Sequence, residues 1–315
     1  MKTFIITLAA FFILLSAPCH AYWIWTPKTG KFVNPKTEVK STPKDQLEFA
    51  TSLYDSKSYE EAKKEFRKLI KNYPKAVEAA EAQYYLGAIE ARQGNLYEAF
   101  LAYQKVIDKY PFSERIGEIN ELEFKIGEEF MAGSKRKALG ITLPVDNPSI
   151  EIFTKVVENS TYGPLAPKAQ YKLGLVLKSL ERYYEAEEAF SKVITSYPDS
   201  EWVEPAKFQL AVTRASVSKS SAYDQGATRE AKQKFQEFVQ EHPDAILTPE
   251  AEKHIEELST KEAESSFNAG VFYEKQKAWE SARIYYEDVI NNYPDSDWAA
   301  KSASRLSAME KRMRK

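Results

Sequence analysis

Between residues 182 and 198 apolar side chains recur with helical spacing. Ala186, Phe190, Val193, Ile194 and Tyr197 fall at i, i+4, i+7, i+8 and i+11, which places them along one face of an α-helix that Pro198 then closes. The same series reads Ala62, Phe66, Leu69, Ile70, Tyr73, Pro74, then Ala99, Tyr103, Val106, Ile107, Tyr110, Pro111, and again Ala282, Tyr286, Val289, Ile290, Tyr293, Pro294. Weaker copies run through Ala231, Phe235, Phe238 and Pro243, with His242 in the tyrosine position, and through Phe153, Val156 and Val157 before Gly163-Pro164. Six copies of one amphipathic, proline-stopped segment predict a repeat architecture.

A second amphipathic segment precedes the clearest copies. "AQYYLGAIEARQGN" (82–95), "AQYKLGLVLKSLER" (169–182) and "SSFNAGVFYEKQKA" (265–278) each place a glycine, Gly87, Gly174 or Gly270, twelve positions before the alanine of the next helix. A residue without a side chain there lets two helices approach closely, so the unit is predicted to be a helical hairpin. "YPDSEW" (197–202) and "YPDSDW" (293–298) then read as a stop, a turn and a restart, with Asp199-Ser200 and Asp295-Ser296 as N-cap candidates and Pro167 suited to a first helical turn. Pro74 to Pro111 spans 37 residues and Pro164 to Pro198 spans 34. The intervals of 53 (Pro111 to Pro164) and 45 (Pro198 to Pro243) call for longer helices or inserted loops.

Small residues at the helix crossing, an aromatic four residues after the alanine and a closing proline resemble the tetratricopeptide repeat, whose period is about 34 residues. The stretch "KEAESSFNAGVFYEKQKAWESARIYYEDVINNYPDSDWAAKSASRLSAM" (261–309), with "AYDQGATREAKQKFQEFVQEHPDA" (222–245), resembles the BamD-like family of outer-membrane-protein assembly lipoproteins. That resemblance covers most of 43–309. It implies an all-α tetratricopeptide-repeat solenoid of about six hairpins that works without catalysis. Such a scaffold holds partner subunits or incoming barrel precursors during outer-membrane β-barrel assembly. A soluble periplasmic adaptor coordinating cell-wall synthesis with envelope constriction is a second reading, and a cell-wall or polysaccharide enzyme a third.

The amino-terminal residues read as an address. Lys2 followed by the 12-residue, largely apolar stretch Phe4 to Leu15 is too short to span a bilayer but suits a signal peptide, so export to the periplasm is expected. Cleavage after Ala21 would leave Tyr22 first; the alternative is a lipoprotein signal with Cys19 as the acylated residue, although Pro18 precedes it. Segmentation then follows as a signal peptide (1–21), an aromatic hairpin (22–35), a polar linker (36–42), amino-terminal repeats (43–130), an insert (131–148), and carboxy-terminal repeats with a capping helix (149–315). "YWIWTPKTGKFVNP" (22–35) has strand-forming aromatics around a Pro/Gly turn and predicts a β-hairpin. A lone hairpin is marginal in water, so Tyr22, Trp23, Trp25 and Phe32 are expected to bury against the first repeat or bind a partner. In the insert, Gly133, Gly140, Pro144 and Pro148 break the helical period, while Lys135, Arg136 and Lys137 stand together as a solvated loop or a contact for acidic lipid or protein.

The chain's 43% hydrophobic and 29% charged residues are those of a folded protein, and its formal net charge of −2 offers no long-range attraction for nucleic acid. Eleven glycines against 19 Tyr and 17 Phe argue against a glycine-rich nucleotide fold. Chemistry finds few candidates. Of the three histidines, His20 lies in the address, and His242 and His254 are too far apart for a helical metal pair. No nucleophile elbow, phosphate loop or dinucleotide fingerprint occurs, and no cofactor is called for. What repeats offer is surface, a groove for peptides or helices of partner proteins in which Tyr54, Tyr84, Arg92, Tyr171, Lys178 and Phe267 are the candidate contacts, or else packing residues between neighbouring repeats.

Overall fold

A computed structural model describes residues 23–26, 30–33, 38–134, 137–138, 141–142, 147–220 and 225–313. Among these residues there are thirteen helices and two short hairpins of strands. The chain divides into two compact units, residues 1–116 and 117–315.

The first unit opens with antiparallel strands β1 (Ile24–Thr26) and β2 (Lys31–Val33), in the register Ile24 to Val33, Trp25 to Phe32 and Thr26 to Lys31. Gly30 has φ +61°, the left-handed conformation its place in the turn required. Helices α1 (Pro43–Asp55), α2 (Tyr59–Asn72), α3 (Val77–Arg92) and α4 (Leu96–Lys109) follow as two hairpins. Thr42 caps α1 by accepting the Asp45 N–H at 3.1 Å, with Pro43 in the first turn. The end of the linker is held too, since the Tyr73 hydroxyl donates to the Lys40 carbonyl at 2.6 Å.

The second unit comprises α5 (Ile116–Met131), the paired strands β3 (Lys137–Ala138) and β4 (Ile141–Thr142), then α6 (Ser149–Asn159), α7 (Ala166–Ser179), α8 (Tyr183–Ser196), α9 (Val203–Ser220), α10 (Gln225–Glu241), α11 (Thr248–Lys275), α12 (Trp279–Asn292) and α13 (Asp297–Met313). The long proline intervals are thereby explained. One holds α5, the insert and α6; the other holds helices of 18 and 17 residues. The insert, expected to be an irregular loop, contains a small β-hairpin.

Four of the hairpins close on the same kind of contact. An added Cβ would lie 2.6 Å from the Tyr103 ring at Gly87, 2.6 Å from Phe190 at Gly174 and 2.7 Å from Tyr286 at Gly270. The glycine therefore makes room for the partner helix's aromatic ring, which is at most 2% exposed in all three cases. Gly127 does the same for Phe153 at 2.7 Å, a pairing hidden in the sequence by the insert between them. Ala50, fully buried, stands in the corresponding place ahead of Phe66. Four positions before these small residues a glutamine recurs. Gln46, Gln83 and Gln170 each donate a side-chain N–H to a carbonyl of the partner helix, of Glu65, Ala102 and Ala189, at 3.0–3.2 Å. These bonds satisfy buried amides and fix the register of the two arms.

The proline stop has one geometry in the four Tyr-Pro copies. Tyr73, Tyr110, Tyr197 and Tyr293 take φ between −128° and −136° as C-caps, each donating its N–H to the carbonyl four residues earlier, and the proline that follows disfavours further helix. The capping role expected of the next two residues is corrected. Helix α9 begins only at Val203, and Ser200 accepts the Trp202 N–H at 3.2 Å within the turn. Ser296 does precede α13, but its hydroxyl donates to the Tyr293 carbonyl at 2.7 Å instead of receiving from the helix. Pro167 sits in the first turn of α7.

Between the arms, first helices end in a left-handed residue with the paired bonds of a Schellman turn, as where Ser58 N–H donates to Leu53 O and Lys57 N–H to Tyr54 O. Glycine fills that place at Gly94 (φ +77°), whereas Lys57 (+62°), Glu181 (+59°) and Lys277 (+59°) hold it with side chains that disfavour it. Replacing any of these three with glycine is expected to raise unfolding stability by about 0.5–1 kcal/mol. Chemical denaturation of the single variants measures this, and a lowered midpoint would contradict it.

Candidate functional site

First helices of adjacent repeats touch directly, α1 with α3 in the first unit and α7 with α9 and α11 with α13 in the second. The contact is built from aromatic side chains 31 residues apart. Tyr54 meets Tyr85 at 5.0 Å between ring centroids, Tyr171 meets Trp202 at 5.1 Å and Phe267 meets Trp298 at 5.1 Å. At Tyr84 the partner 31 residues on is Arg115, whose guanidinium lies 4.5 Å from the ring while gripping Glu81 through two nitrogens. The duplicated "YPDSxW" phrase acquires its meaning here, because each tryptophan clasps the ring of the preceding repeat. Lys301 in turn lies 3.9 Å over Trp298.

This arrangement locates the candidate contacts. Tyr54, Tyr84, Tyr171 and Phe267 are half-buried members of the clasps, and only Arg92 among the six is exposed. Arg92 donates its Nε–H to the Tyr54 hydroxyl at 2.6 Å. Lys178, half-buried on α7, donates to the Gln209 side-chain oxygen of α9 at 2.5 Å, and burial lowers its pKa against an opposing pull from Glu250. Tyr22, Cys19, Lys135 and Arg136 lie outside the described residues, as does the side chain of Lys137. Trp23, Trp25 and Phe32 are 60%, 51% and 63% exposed, so the expected burial of the hairpin against the first repeat is not found. Sequence reasoning missed Tyr85, Trp202, Trp298 and Arg115; the constant interval of 31 was the signal available.

A polar cluster finishes the second unit. Glu274, on α11, accepts from the Tyr286 hydroxyl at 2.8 Å and pairs with Arg305 at 3.3 Å and Arg312 at 3.7 Å. Burial and this carboxylate together push the Tyr286 phenol up. Beside it an open depression of about 680 Å³ is lined by Phe267, Lys301, Arg305 and Arg312. Tyr293, half-buried and bonded to Glu262, is pushed up to about 12, desolvation being the larger cause. These shifts follow packing and hydrogen bonding within the repeats. Among the described residues no group of three or more His, Cys, Asp or Glu could hold a metal ion, and His254 stacks on Phe235 at 4.8 Å. No helix of the described residues is long and apolar enough to cross a membrane.

Helical hairpins closed by a glycine–aromatic contact and joined by clasped first helices define a tetratricopeptide-repeat protein, and a tetratricopeptide repeat family model matches residues 47–114. The model of YfiO, an outer membrane lipoprotein family, matches residues 149–315, more than half of the chain. The chain belongs to that family. Similar solved structures include the C-terminal part of a TPR repeat-containing protein from Cytophaga hutchinsonii (18% identity over 83% of this chain and 87% of that one, TM-score 0.38). Another is a tetratricopeptide repeat protein from Parabacteroides merdae (16% identity, 85% and 98% covered, TM-score 0.33). No curated protein matches the chain.

Proposed function

We propose that this chain is a non-enzymatic scaffold of the bacterial envelope that holds partner proteins while β-barrels are assembled into the outer membrane. Membership in the outer membrane lipoprotein family over residues 149–315 carries this reading. The repeat architecture supports it, because stacked hairpins present extended faces that take up peptides and helices. The half-buried rings of Tyr54, Tyr84, Tyr171 and Phe267 hold neighbouring repeats in register; Arg92 in the first unit, and separately the rim of Lys301, Arg305 and Arg312 in the second, offer exposed basic groups to a partner.

Affinity-tagged chain recovered from gently solubilised membranes is expected to bring barrel-assembly subunits with it. Recovery in the soluble periplasm alongside cell-wall synthases, with no barrel-assembly subunit bound, would overturn the proposal in favour of a soluble adaptor. Intact mass of the exported chain separates the two mature termini that the sequence offers, Tyr22 and an acylated Cys19.

A further inference from the structure

The amino-terminal hairpin presents an apolar face that the rest of its unit leaves open. Trp23 immediately precedes β1, two positions before Trp25, the spacing at which strand side chains point the same way, and the register places Phe32 directly opposite Trp25. The two rings pack edge to face at 5.2 Å. That contact covers only their inner sides, for Trp23, Trp25 and Phe32 are all more than half exposed, and Ile24 on the reverse face is 49% exposed. Two strands of three residues do not hold together in water by themselves, so an occupant of this face would complete the fold of the hairpin.

Composition selects the occupant. Residues 22–40 carry Lys28, Lys31, Lys36 and Lys40 against the single Glu38, a net charge of +3 in a chain whose overall charge is −2. Tryptophan beside lysine is the pairing favoured at a bilayer interface, where indole rings settle at headgroup level and ammonium groups meet lipid phosphates. A protein groove would accept the rings equally well, but it would give the lysines nothing to neutralise unless it were acidic.

We infer that the face formed by Trp23, Trp25 and Phe32 docks on an anionic phospholipid bilayer, seating the amino-terminal end of the repeats against the membrane by a contact that needs no acyl chain. The inference rests on the envelope location proposed above. One weak membrane signal alone gives reversible binding, so the docking is expected to be reversible in the unacylated chain.

The test uses the full mature chain beginning at Tyr22, without acylation, and vesicles of phosphatidylethanolamine containing phosphatidylglycerol. Wild-type protein is expected to co-sediment with them and to show tryptophan quenching by brominated lipid. The W23S/W25S/F32S variant is expected to bind at least tenfold more weakly and to lose the quenching, with its thermal unfolding unchanged because the hairpin lies outside the repeat core. The K135S/R136S/K137S variant is expected to bind as wild type does. Vesicles of phosphatidylcholine alone are expected to bind less protein. The inference is overturned if wild type fails to bind, if binding survives loss of the three rings, if it is lost with the insert's basic residues instead, or if neutral vesicles bind equally. Co-purification with assembly partners can succeed while vesicle binding fails, so the two proposals stand or fall separately.

Discussion

Replacing Phe190 with alanine is expected to destabilise the second unit by about 3–5 kcal/mol, the range for deleting a fully buried phenylalanine from a packed core. Phe190 is 0% exposed, its ring fills the space over Gly174, and it belongs to the cluster that ties α7, α8 and α9 together. Losing the ring removes the contact that closes one hairpin and the support beneath Tyr171, whose ring lies 5.7 Å away. Since Tyr171 also clasps Trp202, the damage reaches the joint with the next repeat. Urea unfolding followed by circular dichroism measures the loss. A cost below about 1 kcal/mol would mean that the glycine–aromatic contact is not what closes the hairpin.

The opposite error at the same contact is expected to cost less, but measurably. Gly174→Val puts a branched side chain where even a Cβ would sit 2.6 Å from the Phe190 ring, so one arm must shift or the ring must leave its rotamer. Overpacking of this kind costs about 1–3 kcal/mol, offset by a few tenths because valine, stiff as its χ1 is, forms helix more readily than the glycine it replaces. The pairing makes a sharper statement than either substitution alone. Combining Gly174→Val with Phe190→Leu is expected to cost less than the sum of the two single changes, because the smaller side chain vacates the space the valine needs. Strict additivity in a double-mutant cycle would show that the two residues do not share that space.

The repeat fold was legible because it is written redundantly. Ala186, Phe190, Val193 and Tyr197 state the buried face of a helix, and Pro198 states its end; three further copies with the same spacing leave no competing period. What was not legible lay one level up, in which partner each residue meets. Gly174 advertised a close approach, but helical spacing says nothing of whether backbone or ring fills it. Trp202 sits four residues past the proline, outside any helical period, so its place against Tyr171 depends on the path of the turn. The serines failed as caps for a related reason. The turn runs on to Trp202 after Ser200, whereas at Ser296 the tyrosine carbonyl takes the hydroxyl first. For the candidate contact residues the sequence leaves two readings, groove surface or packing between repeats, because the period of one helix does not say where the next first helix lies; Tyr54, Tyr171 and Phe267 meet rings of the adjacent repeat. Arg92 stays exposed although its guanidinium reaches Tyr54 on the neighbouring first helix.

The spacing from crossing glycine to closing ring is 16 residues at Gly87–Tyr103, Gly174–Phe190 and Gly270–Tyr286, and 26 at Gly127–Phe153. Ten additional residues are thus accommodated at the bend between two arms, with the ring seated over the glycine as tightly as before. Evolution can lengthen, ornament or replace that bend in one member of the lineage without rewriting the arms. The same indifference makes it a natural graft point, where a foreign loop could be displayed while the underlying packing is inherited intact.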